Sequence, residues 1–285
     1  MSFEIEPDNR YFQANRGIVE HEIRPGHTVT FISEVDLTAV EGLRSRERLA
    51  GRPAPSYTAF VIKAVAAAIQ AFPFANRRVC RRWWLPLSKP RLQRFEACDI
   101  AVAVERDVPG AESVAFVDVA RRADAASLDD LTGWLRDLAT CDVATNRQWR
   151  QFSGLISRLP HWLSKMIIRL PLFSPRLWEQ FRGGAVLVSS PAKYGIDTVA
   201  ASWSWPLGVS FGLVKERPVV VDGRVVARPT FNLILNFDRR IMAGAPAARF
   251  FKRMVDAIEH ADAEFVGGAA DLTGGPPIQH ASIAC

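Results

Sequence analysis

Along the chain, short stretches with an apolar side chain at every second position alternate with longer ones apolar at every third or fourth. The first period predicts strands and the second predicts helices. Residues 27–35 read as a strand, with Val29 and Phe31 alternating against Thr28 and Thr30. Asp36 follows as the expected cap of a helix carrying Leu37, Val40 and Leu43. Ser56 caps a second helix, in which Phe60, Val61, Ala64, Val65, Ala68, Ile69 and Phe72 recur until Pro73 stops it. So few polar residues interrupt that helix that burial on most sides is expected.

Residues 99–104 and 113–119 predict two strands joined through Asp107-Val108-Pro109-Gly110, a run of turn formers. Ser127 with Asp130 three positions on is a form of capping box, and Leu128, Leu131, Leu135 and Leu138 continue behind it at helical spacing. Residues 184–190 read as a compact strand. Residues 206–215 read as another, in which Gly208 and Gly212 allow close backbone approach. A hairpin turning at Asp222-Gly223 is expected over residues 218–226. The run 231–237 predicts the next strand. Pro246 then suits the first turn of a last helix, whose buried face is Phe251, Met254, Val255 and Ile258.

Residues 143–182 depart from this regular alternation. Arg147, Arg150, Arg158, Lys165, Arg169, Arg176 and Arg182 are interleaved with Trp149, Phe152, Trp162, Met166, Phe173 and Trp178, and Glu179 is the only acid. Pro160, Pro171 and Pro175 are expected to cut the stretch into short pieces. Such a basic amphipathic segment fits a lid over an apolar channel or packing against a neighbouring subunit. It equally fits contact with an anionic membrane surface.

Composition adds limits. The 285 residues are 48% hydrophobic and 23% charged, as in ordinary globular proteins, and are enough to bury a large core. The net charge of +6 suits acidic ligands or an anionic surface. Residues 77–94 mix arginines with Trp83 and Trp84. Pro86 and Pro90 break the stretch and no nucleic-acid motif accompanies it, so a surface hairpin or loop is expected and nucleic-acid binding is not. Cys80, Cys98, Cys141 and Cys285 have no metal or redox spacing. They read as reduced structural thiols, and no metal site is expected. The N-terminus lacks signal-peptide features and no apolar run reaches spanning length, so a cytoplasmic location is expected. Residues 1–20 read as an N-terminal arm, and residues 263–285, rich in Gly, Ala and Pro, as a flexible tail.

The strand-to-helix junction Asn236-Phe237-Asp238-Arg239-Arg240-Ile241-Met242-Ala243-Gly244, with Ala247-Ala248-Arg249-Phe250 behind it, resembles a known signature. It is that of the dihydrolipoyl acyltransferases, the catalytic domains of 2-oxoacid dehydrogenase complexes, and more distantly that of chloramphenicol acetyltransferase. The family pattern is Asp-His-Arg-x-x-Asp-Gly. Here Arg239 stands at the position of the general-base His, and Ala243 at that of the second Asp. Ser33-Glu34-Val35-Asp36-Leu37-Thr38 is similar to the family's first strand and helix. Ser56-Tyr57-Thr58-Ala59-Phe60-Val61-Ile62-Lys63-Ala64-Val65 is similar to its second helix. Pro218-Val219-Val220-Val221-Asp222-Gly223 is similar to its Pro-Val-Val-x-x-Gly hairpin.

The resemblance implies an α/β fold: a chloramphenicol acetyltransferase-like mixed sheet flanked by helices, here over residues 21–262 with 143–182 as an insertion. It further implies a homotrimer with sites between subunits, a small-molecule acyl substrate, and coenzyme A thioester entering by a channel. The lipoyl and subunit-binding domains that usually precede such a core are not recognisable in this chain. The family's oxyanion donor is a hydroxyl about fifty residues before the His, which falls on Ser189; an ordinary strand serine is the alternative. Arg239 cannot be a base, because a guanidinium stays protonated. Turned inward, it offers a fixed charge for a carboxylate, phosphate or oxyanion; turned outward, it is surface charge. His27 and His161 are the candidate replacement bases. Asp238 and Arg240 match residues that brace the turn. The expected function is an acyltransferase-type protein with a non-standard site. The alternatives are a non-catalytic trimeric scaffold or partner of an active paralogue, and an enzyme that reuses the channel for other chemistry.

Overall fold

The computed structural model describes residues 27–80, 91–108, 113–142 and 145–266. The expected arm at 1–20, Trp83 and Trp84, Pro109-Gly110 of the predicted turn, and residues 267–285 lie outside them. The longest strand, β9 (Arg224–Asp238), receives β1 (Thr28–Asp36) antiparallel along its C-terminal half. Its other edge takes β7 (Leu207–Phe211) and β8 (Lys215–Val221). Beyond β7 come β6 (Val186–Ser189), β4 (Ile100–Arg106) and β5 (Val114–Ala120). β6 runs parallel to both its neighbours and every other pairing is antiparallel, so the sheet is mixed as expected. The β8–β9 hairpin turns at Asp222-Gly223, where both residues have positive φ (50° and 74°), as a two-residue hairpin loop requires.

Because side chains alternate across a strand, the register sorts the sheet into two faces. On one face stand Phe231, Leu233, Leu235 and Phe237 of β9, with Val209 of β7 and Val186 and Val188 of β6. Helices α1 (Thr38–Leu49), α2 (Tyr57–Ala71), α3 (Leu128–Thr140) and α7 (Gly244–Glu259) belong to this core. Phe31 of β1 ties the layers together, its ring centroid 5.2 Å from that of Phe237 and 6.1 Å from that of Phe251 on α7. α2 is buried along nearly its whole length, and Ser56 caps it by accepting from the Ala59 N–H. Ser127 and Asp130 form the full capping box of α3.

The second arm of the expected hairpin and the expected strand 231–237 are one continuous strand, β9, and the strand expected over 206–215 ends at Phe211. Three further expectations change. Asp36 is not the cap of α1. Leu37 holds that position without a side-chain bond, and Asp36 instead accepts from both the backbone N–H and the hydroxyl of Thr38. Residues 263–266, expected in the tail, are helical: α8 (Ala261–Val266) packs Phe265 against Phe60, and Glu264 pairs with Arg253. Pro171 does not break its segment. It lies buried in the last turn of a helix, and the chain beyond it keeps its bonds, Ser174 N–H donating to Leu170 O at 3.0 Å.

Residues 147–182 form α4 (Arg147–Arg158), α5 (His161–Phe173) and α6 (Pro175–Arg182), which cover β4, β5 and β6 on the opposite face. α4 is anchored by Trp149, buried edge-on against Phe116 of β5. Asn146 caps α4 and also donates to Asp118 Oδ2 at 3.0 Å. α6 is anchored by Trp178, whose indole N–H donates to Gly184 O at 3.0 Å. A separate ribbon, β2 (Arg77–Cys80) paired with β3 (Arg91–Arg94), backs the α5–α6 junction. Arg78 stacks 4.1 Å over Trp178 and donates to Leu172 O, and Gln93 donates to Pro175 O. Burial pushes the Arg78 guanidinium down to about 10, which leaves it charged at neutral pH. On the outer side of α5, Trp162, Met166, Leu170 and Phe173 form an exposed apolar stripe at helical spacing. No described helix is long and apolar enough to cross a membrane.

Gly212 serves the close backbone approach expected of it, whereas at Gly208 the close neighbour is a side-chain ring. A Cβ on Gly208 would lie 2.2 Å from the Trp203 ring, and one on Gly212 would lie 1.8 Å from the Asp197 carbonyl oxygen. Gly154, inside α4, has open space around its missing Cβ. Gly212→Ala is therefore expected to destabilise the fold by about 1–3 kcal/mol, since backbone must move. Gly154→Ala is expected to stabilise it by about 0.5–1 kcal/mol through helix propensity. Chemical denaturation of both variants checks the contrast.

Candidate active site

The signature junction is a turn held from four directions. The Asp238 carboxylate is 2% exposed and accepts from the Arg240 backbone N–H at 2.8 Å and from its guanidinium at 2.6–3.0 Å. The Asp238 N–H donates to Pro206 O, and the Ile241 N–H donates to Asp238 O. Arg77, from the β2–β3 ribbon, donates to Ile241 O at 2.8 Å. The Arg239 N–H donates to His27 O at 2.8 Å. Charge-assisted bonds of this kind fix a turn firmly, and Asp238 and Arg240 have the bracing arrangement expected of them.

Within this rigid turn Arg239 is exposed, and its guanidinium makes no hydrogen bond or ion pair among the described residues. His27 lies directly across from it: the register Thr28↔Asp238, carried one step further, pairs the two. The His27 ring is also exposed and unpartnered among the described residues. A cation and an imidazole thus share one end of the sheet.

Ser189 ends β6 and is half-buried. Its hydroxyl makes no side-chain bond among the described residues, whereas that of Ser190 donates to Phe211 O at 2.8 Å and accepts from the Ala192 N–H. Of the two adjacent serines, Ser189 is therefore the one with a donor to offer. The register places Ser189 opposite Ser210, and Ser210 opposite Ile234. Arg239 is five residues further along β9, about 17 Å at the usual strand rise. One chain therefore holds Ser189 and Arg239 at opposite ends of its sheet. His161 stands exposed at the first residue of α5, and no hydrogen bond among the described residues links it to either group. Burial pushes the Cys98 thiol up to about 12, so it is no nucleophile at neutral pH.

A cavity of about 410 Å³ lies between α4–α6 and the sheet. Its walls are mostly apolar, with Gln148, Gln151, Arg182 and Ser204 as the polar exceptions. Arg182 is 6% exposed, donates to Ser204 Oγ at 2.6 Å and lies 4.7 Å over the Trp205 ring. An apolar space under residues 143–182 is what the lid reading of that segment expects; the part of Trp203, Ser204 and Trp205 in its wall was not read from the sequence.

The model of the 2-oxoacid dehydrogenase acyltransferase catalytic domain matches residues 25–154 and 177–266. The chain belongs to this family. A lipoamide acyltransferase component of the branched-chain alpha-keto acid dehydrogenase complex from Pseudomonas putida is 25% identical over 248 residues, covering 83% of this chain and 48% of that protein. The chain thus spans about half the length of the curated relatives it matches over most of its own length. Among solved structures, the dihydrolipoamide acetyltransferase of Azotobacter vinelandii superposes with a TM-score of 0.65 at 21% identity, covering 92% of this chain and 94% of that one. A probable dihydrolipoamide acetyltransferase from Listeria monocytogenes gives 0.61 at 19%, covering 90% and 94%. These likenesses show the fold. The Azotobacter study names a serine, a histidine and an asparagine in that enzyme's catalytic mechanism. The family match breaks off between residues 154 and 177, and that gap contains all of α5.

Asp238 and Arg239 make a test of this geometry. Asp238→Ala is expected to destabilise the protein by about 1–3 kcal/mol, because it leaves the Arg240 backbone N–H and guanidinium without their buried acceptor. Arg239→Ala is expected to leave the melting temperature unchanged. Thermal unfolding of the two variants side by side distinguishes the brace from the residue it presents.

Proposed function

We propose that this protein binds an acyl thioester of coenzyme A and transfers its acyl group at a site completed by a second copy of the chain. The observation that carries the reading is the placement, on one rigid sheet, of polar groups that have no partner among the described residues: Arg239 and His27 at one end, Ser189 at the other. Within one chain the Ser189 hydroxyl lies about 17 Å along the sheet from the imidazole and the guanidinium, too far for the three to meet one substrate carbonyl. A closed ring of copies, the homotrimer that family membership suggests, sets one end of each copy against the other end of the next.

In this reading His27 takes the proton from the thiol or hydroxyl of the acceptor as that atom bonds to the thioester carbon. The Ser189 hydroxyl of the neighbouring copy donates to the developing oxyanion. The carbon–sulfur bond then breaks, and the departing coenzyme A sulfur takes the proton back from the imidazole. Arg239 cannot exchange a proton and serves as a fixed charge for an acidic group of the ligand. A coenzyme A substrate and separated, unpaired thiols fit a cytoplasmic protein.

Acyl-CoA turnover with a thiol acceptor tests the proposal. The protein is expected to turn over. Ser189→Ala is expected to lower kcat by about 10²–10³-fold. His27→Ala is expected to lower it by about 10²–10⁴-fold and to recover in part with added imidazole. Absence of turnover together with absence of coenzyme A binding by calorimetry contradicts the reading and leaves the non-catalytic scaffold in its place.

A further inference from the structure

The 410 Å³ cavity is within the size range of small-molecule pockets and far larger than a two-carbon acyl group needs. Its position is informative. Leu187 lines it, and Ser189 is two residues further along β6, on the same face of the sheet. Ala103 also lines it, and the parallel register Ala101↔Leu187 sets Ala103 beside Ser189. At the other end are Arg182 and Trp205, next to the start of β6 and β7. The space therefore runs along β6 and reaches the immediate neighbours of the serine.

Much of its roof is the segment that the family match leaves out, with Phe152 on one side and Leu177 and Phe181 on the other inside the match. Leu155, Ile167, Ile168, Leu170 and Pro171 all line the cavity, and all lie between residues 154 and 177. Leu170 and Phe181 are both lining and exposed, at 41% and 40%, which places an opening between α5 and α6. Arg182 faces the space with its polar edge tied to Ser204 and its flat side on Trp205, so even this charge contributes packing.

We infer that this cavity seats the hydrocarbon chain of a long acyl group, with the carbonyl end toward Ser189 and the α4–α6 cap as the specificity element. The inference deepens the proposed acyl transfer and rests on Ser189 serving the acyl carbonyl. The walls select chain length by burial: each methylene that enters a dry apolar space is worth a roughly fourfold gain in affinity, until the space is full. An acyl group of two or three carbons leaves the cavity empty.

The test is binding, which does not depend on turnover. Straight-chain fatty acids and acyl-CoAs, from butyryl to palmitoyl, are titrated by calorimetry and by the fluorescence of Trp203 and Trp205. Affinity is expected to rise roughly fourfold per methylene and then level off at a chain length set by the cavity. Ala103→Phe fills the serine end and Ile168→Trp fills the roof; each is expected to move that plateau to shorter chains, with unchanged circular dichroism. Trp162→Ala, on the outer stripe of α5, is expected to leave it where it is. Affinity independent of chain length, or a plateau moved by Trp162→Ala and by neither cavity variant, overturns the inference. Chain-length-dependent binding without turnover keeps the pocket and refutes the proposed transfer instead.

Discussion

The pairing of β9 on both its edges is the constraint from which the rest of the structure follows. Nine residues of β1 match it on one side, and β7 and β8 divide the other. A strand hydrogen-bonded along both edges cannot slip by one residue without turning its buried face outward. That fixes three things together. It fixes the face on which Phe231 to Phe237 meet the helices. It fixes the level at which the turn after Asp238 emerges. Through β7 and β6, it fixes where Ser189 ends. The distance between the two halves of the candidate site is therefore a property of strand register and does not depend on loop conformation.

The same sheet is covered in two ways. On one face α2 and α7 form a close-packed core of the kind expected from uninterrupted apolar helices. On the other, α4–α6 rest on a few aromatic anchors, Trp149 and Trp178 above all, with the β2–β3 ribbon holding the far side. A cover held at its edges leaves a space beneath its middle. The fold can thus carry a cavity without weakening the core that positions the signature turn, and the region outside the family match supplies much of that cavity's roof.

Local features were legible from the residues alone. Alternation located the strands, Ser56 and Ser127 marked true caps, and Asp222-Gly223 marked a true hairpin turn. Gly212 marked a true close backbone contact. Each of these is decided within a few residues of sequence. Asp36 was misplaced because an aspartate before a helix can satisfy its neighbour's N–H without being the cap. Pro171 was misread because burial keeps a last helical turn that a proline would loosen in water. The proximity of His27 to Arg239, the remoteness of Ser189 from both and the hollow under the cap arise from contacts distant in sequence. No window of residues contains them.

The central claim is that one chain holds only half of each site. Co-expression of Arg239→Ala and Ser189→Ala chains tests it most directly, since mixed assemblies then contain some boundaries at which both wild-type residues meet. The account predicts that each variant alone has little acyl-transfer activity and that the mixed assemblies recover a substantial fraction of the wild-type rate. Mixed assemblies no more active than the two separate variants would contradict it.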